Sequence, residues 1–231
     1  MKILALESSA KAASAAITED GRLVAQYYQS SGLTHSRTLL LMTEELLKDT
    51  CNTIGDIDIL AVARGPGSFT GIRIGVAAVK GLAWAAEKPV CGVSTLEAMA
   101  FQCAGYDGIV CPVMDAKRGQ IYNAKFRIAG ETVTRLCPDR AISILQLAEE
   151  SKNDGEPYIF VGDGAELCYN TFSEEKIHAR LMPQPLRLQT AYGVAAAADP
   201  AKAAPSDDLT PNYLRLSQAE RERLAREGKT K

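Results

Sequence analysis

A chain of 231 residues with 46% hydrophobic and 23% charged residues carries enough apolar material for one large or two small globular domains. A net charge of −2 and a pI near 5.8 argue against a broad nucleic-acid-binding surface, leaving only room for a local basic patch. The N-terminal stretch MKILALESSA is too short in apolar residues for a signal peptide, and no segment approaches the ~20 apolar residues of a membrane span, so a cytoplasmic location is expected. Six cysteines (Cys51, Cys91, Cys103, Cys111, Cys137, Cys168) form no CxxC pair, and several sit in apolar runs, which predicts buried reduced thiols.

In chain order, Lys2 to Glu7 reads as a short apolar strand ending in an acid. A turn over Ser8 to Lys11 leads to a small-residue strand, Ala12 to Ile17. Asp20-Gly21 is a hairpin signal, and Arg22 to Tyr28 alternates as a third strand. Thr34-His35-Ser36-Arg37 starts a helix to about Asp49, with Leu39, Met42 and Leu46 on one face and His35 at its head. Leu40 and Leu47 lie on another face, so this helix is apolar over more than one side.

The next stretch organises the chain. Ile57 to Ala63 predicts a buried strand, Arg64-Gly65-Pro66-Gly67 a turn, and Ser68 or Thr70 the cap of a helix running to about Glu87. Strand, glycine turn and helix can hold a phosphate, but GxxxxGK(S/T) and GxGxxG are both absent, and Lys80 lies too far along the helix to reach its start. Within the helix, Gly71, Gly75, Ala78, Leu82 and Ala85 form a stripe of mostly small residues. Ile72, Val76, Val79 and Ala83 form a second apolar stripe. Each interior glycine costs about 1 kcal/mol relative to alanine, so something must offset it, and close approach of another helix is the plainest candidate. Pattern alone leaves two readings open: a helix buried on both sides within its own chain, or one that gives a side to a partner.

A strand at Val90 to Val93 and a helix from Thr95 follow, and from Ile109 the element order begins again. Strands are predicted at Ile109 to Asp115, Gln120 to Ile128 and Thr132 to Cys137, then a helix from Ile142 to Glu150. A strand at Tyr158 to Val161, a Gly162-Asp163-Gly164 turn, a helix to Phe172, a strand near Ile177 to Leu181 and a helix over Ala191 to Ala198 complete the repeat. This order, β-β-β-α-β-α-β-α twice over, predicts an α/β chain of two lobes, each a mixed sheet flanked by helices. That is the architecture of sugar kinases, actin and 70-kDa heat-shock ATPases, an actin-like ATPase (ribonuclease H-like) fold. The expected divisions are an N-terminal lobe over 1–106, a C-terminal lobe over 107–200, and a linker with a charged tail over 201–231. The tail, Ser217 to Glu227, alternates acids and bases as an exposed or partner-bound helix would.

Catalytic signals are sparse. His35 and His178 are the two histidines and fall in different lobes, no HExxH or GxSxG occurs, and neither a zinc peptidase nor an α/β-hydrolase is indicated. Glu7 and Asp115, each at the end of a lobe's first strand, could be the paired acids of an ATPase cleft, or ordinary turn acceptors. Gly162-Asp163-Gly164 could support a nucleotide or simply open a helix.

RGPGSFTGIRIGVAAVKGLA (Arg64 to Ala83), GVSTLEAMA (Gly92 to Ala100), LALESS (Leu4 to Ser9), MDAKRGQIYNA (Met114 to Ala124), THSRTLLLMTEELL (Thr34 to Leu47) and PNYLR (Pro211 to Arg215) together resemble the bacterial TsaB, or YeaZ, family over nearly the whole chain. That resemblance implies a non-catalytic partner that scaffolds and activates the TsaD transferase, together with TsaE, in making threonylcarbamoyladenosine in tRNA. The two histidines of TsaD's HLEGH-type metal segment correspond to Thr95 and Met99 here, so no metal and no cofactor are expected. It also implies pairing through the two helices above, with TsaD or as a homodimer, and contact with tRNA only through the complex. The expected interface is His35, Leu39, Met42, Leu46, Gly71, Gly75, Ala78 and Leu82. The alternative is a free-standing nucleotide-dependent enzyme using Glu7 and Asp115.

Overall fold

The computed structural model describes residues 1–152, 154–216 and 223. The first sheet has the order β3-β2-β1-β4-β5, built from β1 (Lys2–Glu7), β2 (Ala13–Glu19), β3 (Arg22–Gln29), β4 (Ile59–Gly65) and β5 (Val90–Ser94). β1 to β3 are antiparallel, while β4 joins β1 and β5 joins β4 in parallel. Alternation along these strands feeds two separate cores. Leu4, Leu6, Leu60 and Val62 point to one side, where α1 (His35–Asp49) and α2 (Phe69–Ala86) cover them. Ile3, Ala5, Ala61 and Ala63 point to the other, where α6 (Ala191–Ala197) packs. A strand covered on both faces is apolar throughout, which is why β1 and β4 read as continuous hydrophobic runs.

The second sheet has the order β10-β7-β6-β11-β12, from β6 (Gly108–Asp115), β7 (Gln120–Asn123), β10 (Arg140–Ser143), β11 (Tyr158–Val161) and β12 (Ala179–Leu181). β8 (Phe126–Ala129) also pairs with β6, and β9 (Thr132–Arg135) pairs with β8. The single strand expected over Gln120 to Ile128 is thus two. Both keep one register on β6, Val113 opposite Asn123 and Val110 opposite Phe126, with the break facing Cys111 and Pro112. Proline has no N–H to give the ladder, and the break falls there. β10 is an element the sequence reading lacks: the expected helix from Ile142 begins at Ile144, as α4 (Ile144–Ser151), because Ser143 caps it by accepting from the Gln146 N–H at 3.0 Å.

α3 (Thr95–Phe101) joins the lobes. Ala98 belongs to the core of the first, whereas Leu96, Met99 and Ala100 belong to that of the second. α5 (Ala165–Glu174) and α4 flank the second sheet. Two expected divisions shift. α6 lies on the back of the first sheet, so the C-terminal lobe does not run unbroken to residue 200. Ala204 bridges to Val90 and Leu209 is buried in the first core, so Pro200 to Asp208 is a packed return rather than a free linker. The expected tail helix, Ser217 to Glu227, lies outside the described residues apart from Arg223.

Candidate partner interface and interlobe cleft

α2 begins where Ser68 accepts a hydrogen bond from the Gly71 N–H at 3.3 Å and ends at Glu87 in the left-handed conformation, φ 53°. Around its axis, at about 100° per residue, the side chains divide into two arcs. Gly71, Ile72, Gly75, Val76, Val79 and Ala83 are buried against the chain's own sheet. Thr70, Ala77, Gly81, Trp84 and Ala85 face outward and are exposed, with Ile74, Ala78 and Leu82 half-buried at the borders.

The glycines expected at a partner contact are on the inner arc. A Cβ at Gly71 would lie 2.0 Å from the Ser8 carbonyl oxygen, and one at Gly75 would lie 2.6 Å from Ser8 Oγ and 3.2 Å from Val62. Ser8 Oγ in turn donates to the Gly71 carbonyl at 2.9 Å. The close approach that these glycines permit is therefore to the end of β1, and both are buried there rather than presented on the outer arc. Leu39 and Leu46 are likewise fully covered by the first core, so they too are corrected from interface to core. Met42, Ala78 and Leu82 are half-buried beside that core. His35 is half-buried, its Nε2 2.6 Å from the Ala10 carbonyl, which ties the head of α1 to the first hairpin turn; its Nδ1 has no partner among the described residues.

α1 and α2 each leave large apolar side chains uncovered. Leu40 is 51%, Leu41 62% and Trp84 79% exposed. Gly81, three residues before Trp84, has nothing within 4 Å of where its Cβ would be, so among the described residues packing gives no reason for glycine there. Ala77, Gly81 and Ala85 follow one another at four-residue spacing, a smooth strip between Trp84 and Ile74. Sequence reasoning selected the glycine-containing stripe but could not see which glycines β1 already used. With 18 residues and a mean hydropathy of 1.2, α2 is also the one described helix long and apolar enough to cross a membrane, which corrects the expectation that no segment comes near that length. Its inner arc is instead spent on the sheet.

The cleft between the lobes, 520 Å³, is lined by Ser9, Lys11, Ser68, Asp115, Lys117 and Asp163 among others. The two acids proposed as a pair differ in setting. Glu7 is completely buried, and burial pushes its carboxyl up to about 7. One of its oxygens accepts from the Ser9 N–H and the other has no partner among the described residues; Glu7 is not among the residues that line the cleft. Burial also pushes the Asp115 carboxyl up, but hydrogen bonds from the Lys117 side chain and backbone, at 2.6 and 2.7 Å, outweigh it and hold Asp115 below the ordinary value. Asp163 caps the Asp115 N–H at 3.2 Å, and burial raises its carboxyl. Among the described residues, no three His, Cys, Asp or Glu side chains are grouped to hold a metal. Thr95 and Met99 are fully buried at the lobe junction, packed as core. His178 is the residue before β12, its carbonyl bonded to the Tyr158 N–H at 3.0 Å, remote from His35 in the fold.

Cys91, Cys103, Cys111 and Cys168 are buried, and burial pushes Cys103 and Cys168 up to about 12, which leaves them as inert thiols. Cys51 departs from that expectation and is exposed.

A family model described as TsaD, tRNA N6-adenosine threonylcarbamoyltransferase, matches residues 29–223. The tRNA threonylcarbamoyladenosine biosynthesis protein TsaB of Bacillus subtilis (strain 168) is 30% identical over 231 residues, covering 95% of this chain and 96% of that protein. The protein of the same name from Escherichia coli (strain K12) is 38% identical over 129 residues, 55% of each. Among solved structures, YeaZ from Pseudomonas aeruginosa superposes with a TM-score of 0.74 at 24% identity, over 92% of this chain and 99% of that one. That likeness shows that the fold is shared.

Proposed function

The chain belongs to the TsaB family of tRNA threonylcarbamoyladenosine biosynthesis proteins, and we propose that it acts there as a non-catalytic partner of a TsaD-type transferase. In this reading it holds the transferase in its working arrangement, TsaE joins the assembly, tRNA is met only through the complex, and the chain alone pairs with a second copy of itself. The observation that carries it is the outer arc of α2, where an exposed tryptophan flanks a glycine with no neighbour among the described residues. Exposed apolar patches rimmed by polar residues mark interaction sites, and small residues at four-residue spacing let another helix approach closely. The buried Thr95 and Met99, at the positions where the family resemblance places the metal-segment histidines of TsaD, support a role without chemistry of its own.

The test is co-purification with the TsaD homologue from the same source. Gly81→Leu puts a branched side chain into open space, so the chain should fold and lose the partner. Undiminished binding by a folded Gly81→Leu variant would overturn the assignment. Against the rival reading, a nucleotide-dependent enzyme, stands the burial of Glu7 inside the lobe; Asp115 lines the cleft paired with the exposed Lys117.

A further inference from the structure

Residues 209–216 leave the core of the first lobe and end on the second. Leu209 is buried beneath α2, and Lys80 Nζ donates to the carbonyls of Asp207 and Leu209, both at 3.3 Å. The Asn212 N–H then donates to the Arg64 carbonyl at 2.7 Å, next to Gly65, where a Cβ would lie 2.3 Å from the Asn212 oxygen. Gly65 also has φ +123°, so this seat requires glycine on two counts. Tyr213 stacks on Phe69, the first residue of α2, with ring centroids 4.2 Å apart and planes 7° from parallel. Arg73 Nε donates to the Tyr213 hydroxyl at 2.8 Å, and its guanidinium carbon lies 5.3 and 5.6 Å from the two ring centroids. Two residues later Arg215 Nη1 donates to the Ala116 carbonyl at 2.9 Å, on the turn between β6 and β7 in the other lobe. Leu216 lines the cleft beside Met114 and Tyr122.

We propose that residues 209–216 are a strap that fixes the angle between the lobes and keeps the cleft narrow, with the Phe69–Arg73–Tyr213 stack as its latch. Both ends of the segment are anchored, one in each lobe, across the mouth of the cleft that α3 does not bridge. The latch lies at the surface, where Arg73 and Tyr213 are exposed, so the stretch from Tyr213 onward can lift while Leu209 stays seated in the first core. Stacked rings with a cation alongside are worth more than their area, and stacking and cation contribute separately. The strap is independent of the partner reading: it concerns how the lobes of this chain are held.

The experiment uses the full chain with Cys51→Ser and spin labels at Arg37→Cys and Glu174→Cys, exposed positions on α1 and α5 in different lobes. The parent should give one narrow distance distribution. Tyr213→Ala and Arg215→Ala should each broaden or lengthen it, and amide exchange over 114–120 should rise about tenfold, the equivalent of about 1.4 kcal/mol. Tyr213→Phe keeps the stack and should restore most of the narrow distribution. Unchanged distributions in both alanine variants would overturn the strap; because Arg215 lies outside both cores, that arm stands even if Tyr213→Ala folds poorly.

Discussion

The two sides of α2 use the same residue type for opposite ends. On the inner side, Gly71 and Gly75 are glycine because the backbone at Ser8 leaves no space for a methyl group. On the outer side, Gly81 is glycine with empty space above it. A small residue within a helix records a close neighbour, but only the structure says whether that neighbour is already present. The inner glycines are answered by β1, and the outer one has no neighbour among the described residues.

Substitution separates the two most sharply at the inner side. Gly71→Val forces a Cβ to within 2.0 Å of a backbone oxygen that cannot swing away. Overpacking of this kind costs about 3 kcal/mol or more, so the melting temperature should drop by about 10 °C or the chain should fail to accumulate. A Gly71→Val protein that melts with the parent would erase the distinction drawn between the two arcs.

Glu7, the residue before that contact, gives a pH signature to the same side. Its folded-state carboxyl is raised to about 7 from an ordinary 4.5, chiefly by burial. The folded protein therefore holds a proton that the unfolded chain has released. The stability this provides is full below pH 4.5 and is lost as pH rises through about 7, a fall of about 3 kcal/mol. Glu7→Gln removes the titration, so subtracting its urea-unfolding profile from that of the parent should reveal this slope, and a flat difference would refute it.

On the outer side, effects should fall on association and spare the fold. Trp84→Ala should weaken partner binding by about 2 kcal/mol, read by calorimetric titration, while leaving the melting curve in place. Equal affinity for both proteins would remove Trp84 from the interface. The smallest effect belongs to Gly81→Ala, which gains about 1 kcal/mol of helix propensity because no neighbour opposes the methyl group. A melting temperature below the parent's would mean that something in the chain covers Gly81 after all.

Much of the architecture was legible in residue order. The apolar runs of β1 and β4, the Asp20-Gly21 hairpin, the Ser68 cap and the restart at Ile109 all identify themselves through local rules. β10 was hidden because Arg140–Ser143 runs directly into the apolar start of α4, and only the Ser143 cap marks the border. The orientation of α2 was beyond periodicity, since a stripe of glycines looks the same whether a strand or a foreign helix lies against it. Likewise, the run of alanine, proline and aspartate after residue 200 reads as a linker. The pairing of Tyr213 with Phe69 and of Leu209 with the first core joins positions too distant in the chain for any local pattern to record.

Ser8 has a mechanical consequence. Its carbonyl presses on Gly71, its hydroxyl is bonded to the same residue's backbone, and Gly75 closes over it one turn further on. Helix and strand are seated together with no slack between them, and the next residues, Ser9 to Lys11, form one lip of the cleft. Any shift of the first turns of that helix would therefore carry the cleft's edge with it, since no flexible side chain lies between the helix and Ser8 to absorb the movement.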